Sequence, residues 1–169
     1  MKNITTGGLV RRSKLLIVLF VSFFGMFVVF NNLTDYSTNY QNVQHILSMD
    51  TTDRNSSLMY RSITLPILHH RIYWLMITLE TTFTVCCLIG AHQLYKALNA
   101  SSTEFHEAKK FVVAGFMVGI FIWYFCFQVV GGEWFVMWKS TEWNDLNTAA
   151  RLTDFLMMAL VFIALKIDD

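Results

Sequence analysis

Four apolar runs, residues 15–33, 72–95, 111–130 and 149–167, limit this chain more than any other feature of its sequence. Each is close to the roughly 20 residues that carry a helix across a hydrocarbon core. Inside lipid no water can satisfy a bare N–H or C=O, so helix is favoured over irregular chain. The residue balance agrees, with 54% hydrophobic and 15% charged residues and a mean hydropathy of +0.44; a soluble domain carries about 25% charged residues. The expected fold is an all-α membrane protein forming a single domain over residues 1–169. It is a four-transmembrane-helix bundle with a long first outer loop that contains a short amphipathic helix.

The flanks sharpen this reading. Residues 131–144 join the last two runs and carry Trp134, Trp138 and Trp143. Tryptophan suits the headgroup level, where the ring is buried and its N–H stays wet. Tyr73 and Trp74 open the second run, and Tyr95 and Lys96 close it. The first run follows Lys2, Arg11, Arg12 and Lys14. No small-x-small cleavage pattern follows it, so it reads as an uncleaved first span rather than a leader. In the first loop, Tyr40, Val43, Ile46 and Leu47 recur at helical spacing, marking the amphipathic helix, which would lie on the membrane surface or cap the bundle. Residues 50–57 read as a solvated loop, Pro66 as a break before the second span, and residues 97–110 as a polar helical connection.

Lys and Arg set the orientation. With both termini cytoplasmic, the inner segments hold eight of the 13, namely Lys2, Arg11, Arg12, Lys14, Lys96, Lys109, Lys110 and Lys166, and the outer ones five, Arg54, Arg61, Arg71, Lys139 and Arg151. The expectation is a multi-pass protein of the bacterial inner (cytoplasmic) membrane.

Three stretches read together carry a resemblance: Asp35-Tyr-Ser-Thr-Asn with Val43-Gln-His-Ile-Leu-Ser-Met-Asp-Thr51, then Leu68-His-His-Arg-Ile-Tyr-Trp74, then Gly131-Gly-Glu-Trp-Phe-Val-Met-Trp-Lys-Ser with Trp143-Asn144. They resemble the bacterial family of predicted small integral membrane proteins called domain of unknown function 2165. The resemblance implies a four-span bacterial membrane protein and brings no activity, substrate or catalytic residue with it. In the topology above all three stretches fall on the outer face, which makes that face the expected working surface.

Glu80 lies about eight residues, or about 12 Å, into the second span, where a carboxylate must pair, face the bundle interior or carry a proton. Tyr124 and Gln128, four apart on the third span, are its expected companions. That cluster would be a proton or cation relay, or else a buried tie between helices. The outer face gathers His45, Asp50, His69, His70, Glu133, Trp134, Trp138, Trp143, Arg151 and Asp154 as a candidate interaction surface. His45, His69 and His70 are weak metal candidates; their spacing fits helix capping better than a ligand set. Haem would need histidines at matched depth on different spans, and His92 and His106 offer only a peripheral site. Arg151 and Asp154 are expected to pair locally, or Arg151 to reach Glu133. Gly115 and Gly119 form a small-xxx-small pattern with Gly90 and Ala91 as its facing surface. Cys86, Cys87 and Cys126 sit inside apolar runs without ligand spacing, so they read as small buried hydrophobes. Phe20, Phe23, Phe24, Phe27 and Phe30 read as lipid-facing or core packing.

No nucleophile elbow, phosphate loop, HExxH or dinucleotide-binding glycine pattern occurs, and a net charge of +1 gives no basis for nucleic-acid binding. The preferred expectation is a non-enzymatic accessory or interaction subunit of a larger membrane assembly. Its companions would be membrane lipid, with bound lipid rather than a cofactor, and a membrane-protein partner or a second copy of itself. A proton, ion or small-solute transport component using Glu80, and a metal- or haem-binding redox protein, are the alternatives.

Overall fold

The computed structural model describes residues 5–52 and 57–168. The regular elements found among them are helical: α1 (Thr6–Thr34), α2 (Tyr36–Ser48), α3 (Pro66–Ala97), α4 (Ser102–Glu107), α5 (Lys110–Ile120) and α6 (Leu146–Ala164). The wider π-helix Phe121–Trp134 continues α5, and short 3-10 turns cover Met59–Arg61 and Met137–Lys139. Four helices are long and apolar enough to cross a membrane: Thr6–Thr34, Pro66–Ala97, Ser102–Trp134 and Leu146–Ala164. They run up, down, up and down. Arg11 at the start of α1 therefore meets Leu98 and Ala100 just past α3, while Asn32 near the far end of α1 meets Tyr73. One end of the bundle carries Arg11, Arg12, Lys14, Lys109 and Lys110 together with Asp168. The other carries Trp74, Trp134, Trp138 and Trp143, while Trp123 is buried in the core.

The surface is built for hydrocarbon. Phe20, Phe27 and Phe30 on α1 are 60%, 70% and 65% exposed, and Met158 on α6 is 66% exposed. Only Phe24 of that aromatic stripe turns inward, its ring 5.6 Å from Trp123. Runs of large exposed side chains of this kind are unfavourable in water and neutral in lipid. The core is a line of small and aromatic contacts at the centre, including Val18, Phe83, Cys87, Phe116, Ile122 and Leu156.

Glycine fixes how closely the middle helices approach. A β-carbon on Gly90 would stand 2.8 Å from the backbone nitrogen of Val112, and one on Gly115 would stand 2.9 Å from the Cys87 sulfur. At Gly119 it would meet Leu156 and Phe83 at 2.9 Å. The small-residue pattern thus packs inside the chain, α5 against α3 and α6.

Three boundaries differ from the sequence reading. The first span and the amphipathic helix are nearly continuous, because α1 runs to Thr34 and only Asp35 separates it from α2. Pro66 is the first residue of α3, where its missing N–H has no partner to lose. The third span extends to Trp134. Its second half winds more loosely, with the Phe135 N–H donating to the Val130 carbonyl five residues back at 3.1 Å. The irregular part of the first loop is therefore much shorter than expected. Arg54 and the middle of the solvated 50–57 stretch lie outside the described residues. In the connection, Ser101 and Glu104 form a reciprocal capping box that starts α4.

Candidate functional site

At the tryptophan end, α2 lies across the bundle and is pinned from both sides. His70 stacks on Tyr40 with ring centroids 4.1 Å apart, and its Nδ1 is 2.8 Å from the Tyr36 hydroxyl. Tyr36 sets its edge against Tyr73 at 4.8 Å. On the other side His45 stacks on Trp143 at 4.5 Å while its Nδ1 meets Asp50 at 2.9 Å. Asn42 bonds to the Asp145 carboxylate, and Thr51 donates to the Ser140 hydroxyl at 2.8 Å. His69 is buried, with Nε2 2.6 Å from the Ile63 carbonyl and Nδ1 without a hydrogen-bond partner among the described residues. Two backbone positions shape this cap: Met49 (φ 53°) ends α2, and Val136 (φ 48°) begins the turn that carries Trp138.

The three histidines at this end are thus dispersed over separate local tasks. Among the described residues no group of three or more His, Cys, Asp or Glu converges as a metal site. His92 is exposed and His106 half-buried at the opposite end. Arg151 and Asp154 are both exposed, and neither they nor Glu133 join in an ion pair among the described residues. What projects outward is a separate patch. The Arg61 guanidinium sits 5.5 Å over the Tyr60 ring and 5.1 Å over the Trp134 ring, and reaches the Glu133 and Trp134 carbonyls at 3.4 Å. Tyr60, Trp134 and Trp138 are 74%, 50% and 55% exposed, and Lys139 lies 5.4 Å over the Trp138 ring.

Glu80 is buried, but its companions are not those expected. Tyr124 is exposed, and Gln128 donates to the Thr153 hydroxyl on α6 at 2.9 Å. The Glu80 carboxylate instead accepts from the Asn32 amide at 2.6 Å. Tyr73 in turn donates to the Asn32 carbonyl at 3.0 Å. This trio ties α1 to α3. Among the described residues the side-chain hydrogen bonds of the trio stop there: Tyr36 touches Tyr73 by ring contact, Thr84 donates only to the Glu80 backbone carbonyl at 2.7 Å, and beyond it come Phe83, Cys87 and Phe116. Asn32 was detectable as an amide at the end of the first apolar run, at a depth matching the start of the second. The third span, where the sequence places the companions of Glu80, supplies none of them.

The basic end holds a second polar site that the sequence reading missed. The Asp168 carboxylate lies between Lys14, at 2.7 Å, and Lys109. Arg11 Nε donates to the Asp168 carbonyl at 2.8 Å, and its guanidinium also reaches Leu98 and Ala100. Lys14, Lys109 and Asp168 are 0%, 2% and 1% exposed. The cations also face the carbonyl ends of α3 and α6, where the helix dipole is negative. Burial pushes the Asp168 carboxyl up, but the hydrogen bonds and charges of Lys109 and Lys14 outweigh it and hold it below the usual aspartate value.

A cavity of about 190 Å³ opens under the cap, between α2, α3 and the π-helix. Val43 and Leu47 form its roof, Leu75 and Met76 one wall, and Cys126 and Val130 the other.

Helices with a lipid-facing surface, a buried polar tie and an aromatic cap define an integral membrane protein with four candidate transmembrane helices. The chain belongs to the family described as predicted small integral membrane protein, domain of unknown function 2165, whose model matches residues 10–166. No curated protein and no solved structure matches the chain.

Proposed function

We propose that the protein is a non-enzymatic interaction subunit of a bacterial inner-membrane assembly, with its tryptophan-end cap as the contact face. The observation that carries this reading is the Tyr60–Arg61–Trp134 patch, extended by Trp138. Tyr, Trp and Arg are the side chains most enriched where partner proteins bind tightly. Here they are presented on the surface, while Asn42, His45, Asp50, Ser140 and Asp145 are engaged in fixing the cap. A transport role for Glu80 is less well supported, since its carboxylate is occupied by Asn32 and, among the described residues, the side-chain hydrogen bonds lead no further than Tyr73. Both termini are placed in the cytoplasm, because the compact cluster Arg11, Arg12 and Lys14 precedes the first span.

Extraction from native membranes in mild detergent tests the proposal. The chain is expected to co-purify with a stable membrane partner. The pair Arg61→Ala and Trp134→Ala should release that partner while leaving the melting temperature of the isolated chain unchanged. A strictly lone monomer, or a partner retained by the double variant, contradicts it.

A further inference from the structure

We propose that the cavity under the cap is a binding site for one acyl chain of a membrane phospholipid. This inference stands apart from the contact face above and needs no protein partner. Its first support is size. An apolar cavity of about 150 Å³ admits a six-carbon ring and stays dry, so about 190 Å³ admits a stretch of several methylenes. The second is chemistry. A trapped water needs two to four polar partners, but the lining is hydrocarbon, methionine and cysteine, and the rim amide of Asn42 is committed to Asp145. The third is access. Leu75 lines the cavity and is also 57% exposed on α3, just inside Trp74, so the cavity meets the molecular surface where the apolar run of that helix begins. Whatever surrounds these helices is the solvent available to fill it, and that solvent is lipid tail.

The surroundings of the mouth suit a lipid as well. Leu47, Ile72, Val130 and Phe135 separate the cavity from an open recess whose rim includes Glu133 and Trp134. Arg61 stands over that rim. A chain held between α2 and the π-helix would leave its phosphate at the tryptophan level, within the field of a guanidinium. The wide winding of Phe121–Trp134 and the sparse packing between it and α3 keep the two walls apart.

Photolabelling in liposomes tests this directly. The full chain is reconstituted with phosphatidylethanolamine carrying a photoactivatable diazirine midway along one acyl chain, and adducts are mapped by mass spectrometry. Boundary lipid will label exposed residues such as Phe27 and Met158 in any case. The proposal requires adducts also on Met137, Leu47 and Val43, which are only 2%, 6% and 8% exposed and which an annular lipid cannot reach from outside. Labelling confined to exposed residues overturns it.

Val130→Phe, which fills the cavity, should lower the internal adducts at least tenfold with the boundary adducts unchanged. Should that variant not fold, the smaller Cys126→Leu is expected to lower them in the same direction. Unchanged internal labelling in a folded filling variant overturns the site. Competition fixes the chemistry: excess unlabelled phosphatidylethanolamine should dilute the internal adducts in proportion. Displacement by an isoprenoid quinone at ratios where phospholipid has no effect overturns the acyl-chain assignment.

Discussion

The two ends of the bundle solve the same packing problem in opposite ways. At the basic end α3 and α5 touch backbone to backbone through Gly90 and Gly115, and Leu165 and Asp168 fold under the helices. At the tryptophan end the same two rods spread around a cavity, and a transverse helix is laid over the opening. Small residues need no further support, because close approach itself supplies the dispersion contact. Separated helices do need it, and the His70–Tyr40 and His45–Trp143 stacks with the Asn42–Asp145 bond provide it. The closed end is a structural clamp. The open end is where another molecule can be accommodated.

The largest expected effect breaks the clamp. Asp168→Asn leaves Lys14 and Lys109 facing each other without their shared carboxylate, and removal of one partner from a buried ion pair costs about 3–5 kcal/mol. Thermal unfolding in detergent should show a loss of that order, with α6 detaching first by hydrogen exchange. The pH dependence has a definite sign. Since the folded Asp168 value is depressed, the clamp contributes fully at and above the ordinary aspartate range, about pH 4. That contribution disappears as pH falls through the lower folded value. A melting temperature that is flat from pH 7 to 5 and falls below about 4 fits; a decline beginning near neutrality does not.

Next comes a matched pair of glycine substitutions that sets one end against the other. In Gly90→Ala the new methyl meets the Val112 backbone, which cannot rotate away. Overpacking of this kind costs about 1–3 kcal/mol, and it exceeds the gain of about 1 kcal/mol in helix propensity. In Gly132→Ala the nearest atom is the end of the Leu146 side chain at 3.1 Å, which can yield. Gly132→Ala should therefore be neutral or slightly stabilising. Equal losses for both would remove the distinction between a tight end and a loose one.

How far all this was legible in the sequence depends on the range of the interaction. The spans were readable because hydrocarbon imposes length and composition locally. The amphipathic helix was readable because Val43 and Leu47 repeat at helical spacing, and both are buried. Gly90, Gly115 and Gly119 announced close packing by size alone. Partners of charged groups were another matter. Glu80 was identified as costly, but which amide would answer it depends on how α1 and α3 are rotated about their axes, and no periodicity encodes that. Arg11, Lys14 and Lys109 looked like ordinary membrane-flanking cations. Nothing local told them apart from Arg12 and Lys110, which remain exposed, because Asp168 reaches them only after the chain has crossed the bundle again. The wide turn of Phe121–Trp134 has no evident signal in its sequence, and we have no physical account of why the loose winding begins at Phe121.

The smallest effect concerns Glu80, and it separates a tie from a relay. Glu80→Gln keeps the side-chain shape and an oxygen to accept from Asn32, so the tie is retained at a cost of no more than about 1 kcal/mol. Asn32→Ala should cost somewhat more, about 1–3 kcal/mol, because the buried Glu80 side chain loses its donor, while Tyr73 keeps the backbone carbonyl of residue 32 as its acceptor. Tyr124→Phe should have no effect, its ring being exposed and apart from the trio. In sealed liposomes neither the native chain nor Glu80→Gln should pass protons or cations, as a side chain whose hydrogen bonds end at Tyr73 has nowhere to hand a proton on. A proton flux that vanished in Glu80→Gln, with stability held, would turn the buried tie into a path and shift the functional weight of the molecule from its cap to its centre.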